Sequence, residues 1–156
     1  MENKITSKGA SLLFNTLKEC KSSVDTIDLG SNGLDDNCME SLGEFIQTSQ
    51  TIENTNIGHN KITDKGIKIL LPYLIGNITI KYLGISLNKG ITDKSVPLIK
   101  DIIQKSNVKD INIYETSITK KGTDEIKSSL KAPIDEREIP LITIGNVKSA
   151  SKIIKG

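Results

Sequence analysis

The single histidine, His59, is the side chain best suited to general acid–base work near neutral pH. A histidine base needs a nucleophile beside it, and no Ser or Cys stands at a matching spacing, so a solvated turn histidine is expected. Asp35 and Asp36 have the composition of a metal-binding pair. They fall, however, where an apolar-periodic segment begins, and acids at a helix start are stabilised by its dipole. Gly30, Gly33 and Gly43 lack the strand–turn–helix setting of a phosphate-cradling loop. Cys20 and Cys38 have no metal-ligand spacing and are expected as free thiols. Basic residues are twenty Lys and one Arg, Arg137, so one guanidinium fork is available to grip a phosphate bidentately. The expectation is a protein that is not an enzyme and carries neither cofactor nor metal.

The segments that hold these residues repeat. Shifted by 28 positions, Val24, Ile27, Leu29, Asn32 and Leu34 fall on Ile52, Thr55, Ile57, Asn60 and Ile62. Ile80, Leu83, Ile85 and Asn88 continue the set, with Ile91 following after the inserted Gly90. Val108, Ile111, Ile113, Thr116 and Ile118 form a fourth copy, and Ile139, Ile142 and Ile144 a weaker fifth. Apolar residues two apart lie on one face of a strand. An Asn three residues past the last strand aliphatic can bond backbone groups exposed at the turn, so stacked Asn side chains would bridge consecutive layers.

The second half of each period reads as helix. Ile62-Thr63-Asp64-Lys65-Gly66 recurs as Ile91-Thr92-Asp93-Lys94-Ser95 and Ile118-Thr119-Lys120-Lys121-Gly122. It also appears as Ile5-Thr6-Ser7-Lys8-Gly9 and, more loosely, Leu34-Asp35-Asp36-Asn37-Cys38. Thr or Asp is the expected N-cap, and the small fifth residue is expected to face inward where helix crowds sheet. Met39, Leu42, Phe45, Ile46; Ile67, Leu70, Tyr73, Leu74; and Val96, Ile99, Ile102, Ile103 then follow at helical spacing. Pro97 fits a first turn if Ser95 is the cap, whereas Pro72 is expected to kink its helix or end it early.

Strand residues spaced L-x-x-L-x-L-x-x-N-x-L, a T/S-D-x-G helix start and this period resemble the ribonuclease-inhibitor type of leucine-rich repeat. The resemblance runs from about Ile5 to Leu130, with a degenerate cap to Ile154. It departs at Thr55, at Thr116 in place of the layer Asn, and at Val147. It implies a right-handed α/β solenoid, a horseshoe segment with a parallel sheet of about five strands lining the concave face and helices outside. One domain is expected: an N-terminal helix or cap over 1–22, four repeats over 23–131, and a degenerate C-terminal repeat or cap over 132–156. The function the resemblance implies is non-catalytic protein–protein interaction. The alternative is regulation of a small GTPase, since the Ran GTPase-activating protein shares this repeat type.

Composition agrees with stacking. Aromatic residues make up 3% of the 156 residues and Trp is absent, as suits layers filled by one medium-sized aliphatic rather than by large rings. Net charge is +2, too small to call for nucleic acid or an anionic membrane. Residues 1–50 hold four Lys against eight acids, so one end is expected acidic and the other basic. Met1 to Ala10 lacks the apolar stretch of a secretory signal, and no window approaches a membrane span. Asn77-Ile78-Thr79 therefore reads as a chance glycosylation sequon. A cytoplasmic location is expected, with delivery into a host cell if the source is an intracellular microbe. The expected partner is a protein, and a homodimer is allowed.

In such a solenoid the residues between the inward aliphatics face the concave side. The middle column is Asp28, Asn56, Gly84, Asn112 and Thr143; the next is Gly30, Gly58, Ser86, Tyr114 and Gly145. Thr26, Asn54, Tyr82 and Asp110 flank one side, and Ser31, His59, Leu87 and Glu115 the other. Small residues leave room for a partner, and Tyr is favoured at hot spots. The expected binding residues are Asp28, Asn56, His59, Tyr82, Gly84, Asn112 and Tyr114.

Overall fold

A computed structural model describes residues 4–129 and the backbone of 141–143. Arg137, Ile139, Ile144, Gly145, Val147, Ile153 and Ile154 lie outside the described residues, as does most of the expected C-terminal cap. Helix α1 (Ser7–Glu19) is followed by strand β1 (Thr26–Asp28), helix α2 (Met39–Thr48), β2 (Asn54–Asn56), α3 (Asp64–Leu74), β3 (Tyr82–Gly84), α4 (Val96–Lys105), β4 (Asp110–Asn112) and α5 (Lys120–Ser128). The strands lie parallel in chain order, Ile27 beside Thr55, Thr55 beside Leu83 and Leu83 beside Ile111. Backbone 141–143 aligns with β4 in the same sense, Ile111 against Ile142. Parallel neighbours require a long crossover, and a helix supplies each one.

Strands of three residues are too short to stand alone, so the layers hold one another. Ile27, Leu83 and Ile111 are buried in one row, and Leu29, Ile57, Ile85 and Ile113 in the next. The Ile57 N–H donates to the Gly84 carbonyl at 2.8 Å and Ile85 N–H to Asn112 at 2.9 Å, so the rows are also joined by backbone. The expected helix positions are buried against them, Tyr73 only partly. Phe14 of α1 and Phe45 of α2 stack at 6.3 Å between centroids.

The asparagine bridges form as expected. Asn60 Oδ1 accepts from the N–H groups of Asn32 and Leu34 in the preceding layer, while its Nδ2 donates to the carbonyls of Leu29, Ile57 and Gly58. Asn88 repeats the pattern, accepting from Ile62 N–H and donating to Ile57, Ile85 and Ser86. Both are buried, and all but the bond to the half-buried Ser86 lie in the interior, where backbone groups need a partner. At Thr116 the hydroxyl reaches only Ile113 O, within its own layer.

The helix starts hold a second ladder. Thr6, Thr63 and Thr119 cap α1, α3 and α5 with their hydroxyls, and Thr92 caps the single 3-10 turn Asp93–Ser95 that leads into α4. Asp35 caps the corresponding turn Asp36–Cys38. Asp36 has a different role from the expected dipole partner: it accepts from the N–H and hydroxyl of Thr63, one layer on. Asp64 does the same for Thr92, and Asp93 for Thr119. The small residue after each cap makes room for this acid. A Cβ on Gly66 would strike Asp36 Oδ1, and one on Gly122 would lie 2.5 Å from Asp93 Oδ1. Crowding thus comes from the previous layer's carboxylate as well as from the aliphatic four residues earlier. Ser95 fills the same place in layer three and donates to Asp64 at 2.6 Å.

Two proline expectations resolve differently. Pro97 sits in the first turn of α4, where its missing N–H costs nothing, although Ser95 spends its hydroxyl on Asp64 and not on the helix. Helix α3 does not end at Pro72 but runs on to Leu74. Pro72 is exposed, and the carbonyl it leaves unbonded belongs to the exposed Lys68, so the break occurs where solvent has access. Part of the acid excess in residues 1–50 is internal: Asp35 and Asp36 belong to the ladder, and Glu44 pairs with Lys18 at 2.6 Å.

Candidate functional site

The sheet face opposite the helices carries the expected columns. Its middle row is built by a local rule. A side-chain oxygen at that position accepts from the N–H two residues on: Asp28 from Gly30, Asn56 from Gly58 and Asn112 from Tyr114, at 2.9 to 3.0 Å. Such Asx turns suit short polar side chains at a strand end. Asn56 Nδ2 also donates to Asp28 Oδ1 at 3.0 Å, tying rung to rung, and Asn54 Nδ2 donates to Thr26 Oγ1 beside it.

Gly84 interrupts the row. Tyr82 folds across it: a Cβ there would lie 2.8 Å from Tyr82 Oη and 2.6 Å from Asn56 Oδ1. Gly84 is therefore buried beneath its neighbours rather than open on the face. Tyr82 and Tyr114 are partly exposed. Tyr114 hydrogen-bonds Glu115, which raises the phenol's pKa and, seen from the other partner, lowers that of Glu115.

His59 stands apart from Asp28, Asn56, Tyr82, Gly84, Asn112 and Tyr114, on the turn that leaves the sheet. Its φ is +54°, and Ser31, Leu87 and Glu115 at the same place in other layers are left-handed too, at +59°, +59° and +50°. His59 Nδ1 lies 2.7 Å from Ser31 Oγ, and the ring is exposed. A depression of about 480 Å³ adjoins it, bordered by Lys4, Ser31, Gly33 and Lys61. Ser31 is thus a hydroxyl beside the ring that the sequence spacing did not match to it, a correction to the expectation. Among the described residues no carboxylate borders the depression to orient the ring, and Lys4 and Lys61 add positive charge.

Two features of the site went unforeseen. Asp110 sits beside Tyr82 in register with one carboxylate oxygen buried and without a hydrogen-bond partner among the described residues. Burial pushes its pKa up. Ser86 was placed on the face, but its N–H is the one in its column with no acceptor among the described residues, because Gly84 provides no side chain. The signal was present in the aligned column Asp28, Asn56, Gly84, Asn112. Asp35 and Asp64, away from this face, are held below the usual carboxylate range. Asp35 owes this first to the Ser7 hydroxyl. At Asp64 burial opposes ionisation, but hydrogen bonds from Ser95 and Thr92 outweigh it. Among the described residues no group of three His, Cys, Asp or Glu side chains is placed to hold a metal, and no helix is long and apolar enough to cross a membrane.

Residues 49–70 match the leucine-rich repeat family model. The match spans β2 and the first part of α3, one strand–turn–helix layer, and supports reading the chain as a leucine-rich repeat protein. A repeat of this kind suggests a protein–protein interaction module. Comparison with curated proteins finds no match.

Proposed function

We propose that the chain is a right-handed solenoid of ribonuclease-inhibitor-type repeats, with 141–143 as a fifth strand, that holds a protein partner on the concave face of its sheet. The observation that carries this reading is the open face itself. Its polar side chains are fixed in rows by the Asx turns, so the donors and acceptors are already ordered before a partner arrives. Preorganised groups lose little entropy on binding. Tyr82 and Tyr114 supply flat apolar area with a polar tip, the chemistry favoured at binding hot spots.

The GTPase-regulator alternative would need Arg137 or an Asn aimed at a nucleotide. Arg137 lies outside the described residues, and each described asparagine of the face is held by a hydrogen bond to a neighbour on the sheet, so no observation favours that reading.

Partner capture by the wild-type chain and by the triple variant Asp28→Lys, Tyr82→Ala, Tyr114→Ala tests the proposal. Capture should fall at least tenfold in the triple variant while its thermal melting stays cooperative. Unchanged capture would rule out this face.

A further inference from the structure

The row of rungs on the sheet face defines what is missing at Gly84. Taken together, the other rungs show three kinds of bond at this position. The side-chain oxygen accepts from the N–H two residues on, as Asp28 does from Gly30 and Asn56 from Gly58. The same oxygen accepts from the amide of the next layer, as Asp28 does from Asn56 Nδ2 at 3.0 Å. An Asn rung also donates its own Nδ2 back to the previous layer. Gly84 leaves all three unmade. Ser86 N–H and Asn112 Nδ2 have no acceptor among the described residues, and Asn56 Oδ1, which lies 2.6 Å from where a Cβ on Gly84 would sit, accepts only the Gly58 N–H.

We propose that this gap is a subsite for one carboxamide side chain, Asn or Gln, of an extended peptide segment of a partner protein. Its oxygen accepts from Ser86 N–H and Asn112 Nδ2, and its NH2 donates to Asn56 Oδ1. A carboxylate is a poorer complement, because it has no hydrogen for Asn56 Oδ1. An apolar side chain would leave all three groups unpaired, and sites built around hydrogen bonds reject such analogues strongly. Tyr82 Oη covers the gap in the free chain, 2.8 Å from the absent Cβ. It is the far end of a half-exposed side chain, and rotation about its side-chain bonds clears the way.

This subsite rests on the concave-face reading and narrows it to one chemistry. The test is a titration of the isotope-labelled full chain with N-acetyl-asparagine N-methylamide, and with its aspartate and alanine counterparts, read by amide chemical shifts. The asparagine compound should move the Ser86 backbone and Asn112 side-chain signals saturably, with shifts at least threefold those from either counterpart. The response should disappear in Gly84→Asn, which supplies the rung from within, and in Asn112→Ala, which removes one donor without adding bulk. A silent Ser86 signal overturns the subsite, as does an equal response to the aspartate or alanine compound. Because no protein partner is present, a negative titration with capture still lost in the triple variant removes only the subsite. A positive titration with unchanged capture removes only the wider reading.

Discussion

Asp36 accepts two hydrogen bonds from Thr63, one from its N–H at 2.8 Å and one from its hydroxyl at 2.6 Å, and these residues belong to successive layers. The cap of each helical segment after α1 is thereby fastened to the layer before it. A local device, the N-cap hydroxyl, becomes a tertiary one, and the sheet face on the far side inherits a fixed spacing. The Asn60 and Asn88 bridges do the same at the strand ends.

Asp64 makes the fullest rung, with bonds from Thr92 N–H, Thr92 Oγ1 and Ser95 Oγ. Asp64→Ala should lower stability by about 2–4 kcal/mol, because charge-assisted bonds are worth about 1.5–3 kcal/mol each and are not additive. Urea denaturation followed by circular dichroism checks this. The folded pKa lies below the unfolded one, so the Asp64 contribution is present above the unfolded pKa and is lost as pH falls through the folded value. Asp64→Asn should flatten that acid limb of the stability profile.

Asp110 behaves in the opposite sense. Its folded pKa is raised by burial, so its favourable contribution is confined to low pH and disappears as pH rises through the folded value. Asp110→Asn should therefore stabilise the chain at pH 7 and bring no gain at pH 3. Denaturation midpoints at the two pH values decide it; equal gains at both would refute the assignment.

Thr55 is fully buried in the row of Ile27, Leu83 and Ile111, and its hydroxyl has no hydrogen-bond partner among the described residues. An unsatisfied buried hydroxyl costs about 1–3 kcal/mol, so the near-isosteric Thr55→Val should raise stability by about 1 kcal/mol or more. Thr123→Val is the control, since the Thr123 hydroxyl donates to Thr119 O at 2.9 Å and its loss should bring no gain. Thermal melting of the pair gives the answer.

Gly66 faces Asp36 and Ile62 with no space for a side-chain carbon. Gly66→Ala should destabilise by about 1–3 kcal/mol, as overpacking does. Gly66→Ser should cost less, because layer three accommodates Ser95 by a hydrogen bond to its acid. Calorimetry of the two variants shows whether the order holds.

The repeat was legible because it is written in side-chain identity: the aliphatic columns recur with Thr55 as the exception, and Asn32, Asn60 and Asn88 hold one place in three successive layers before Thr116 takes it. The acid ladder was not. A Thr-Asp pair at a helix start has the same composition whether the acid serves its own helix or the next one, and only the stacking offset of the layers selects the second. The left-handed turns at Ser31, His59, Leu87 and Glu115 were hidden for a related reason. No glycine marks them, and the conformation recurs at one place in each layer whatever the residue, Glu115 included, although Thr116 rather than Asn follows it. At Pro72 the helix rule was sound but the outcome depended on exposure, which the pattern alone did not rank. On the sheet face the columns were readable, whereas Tyr82 lying over Gly84 is a rotamer choice that depends on the layers either side.

Everything rests on layers stacked in this register, and scalar couplings across hydrogen bonds measure it directly. In the deuterated, isotope-labelled chain, the amides of Leu29, Ile57 and Ile85 should couple to the carbonyl carbons of Asn56, Gly84 and Asn112. Couplings from these amides to any other carbonyls would contradict the stack and the sheet face built on it.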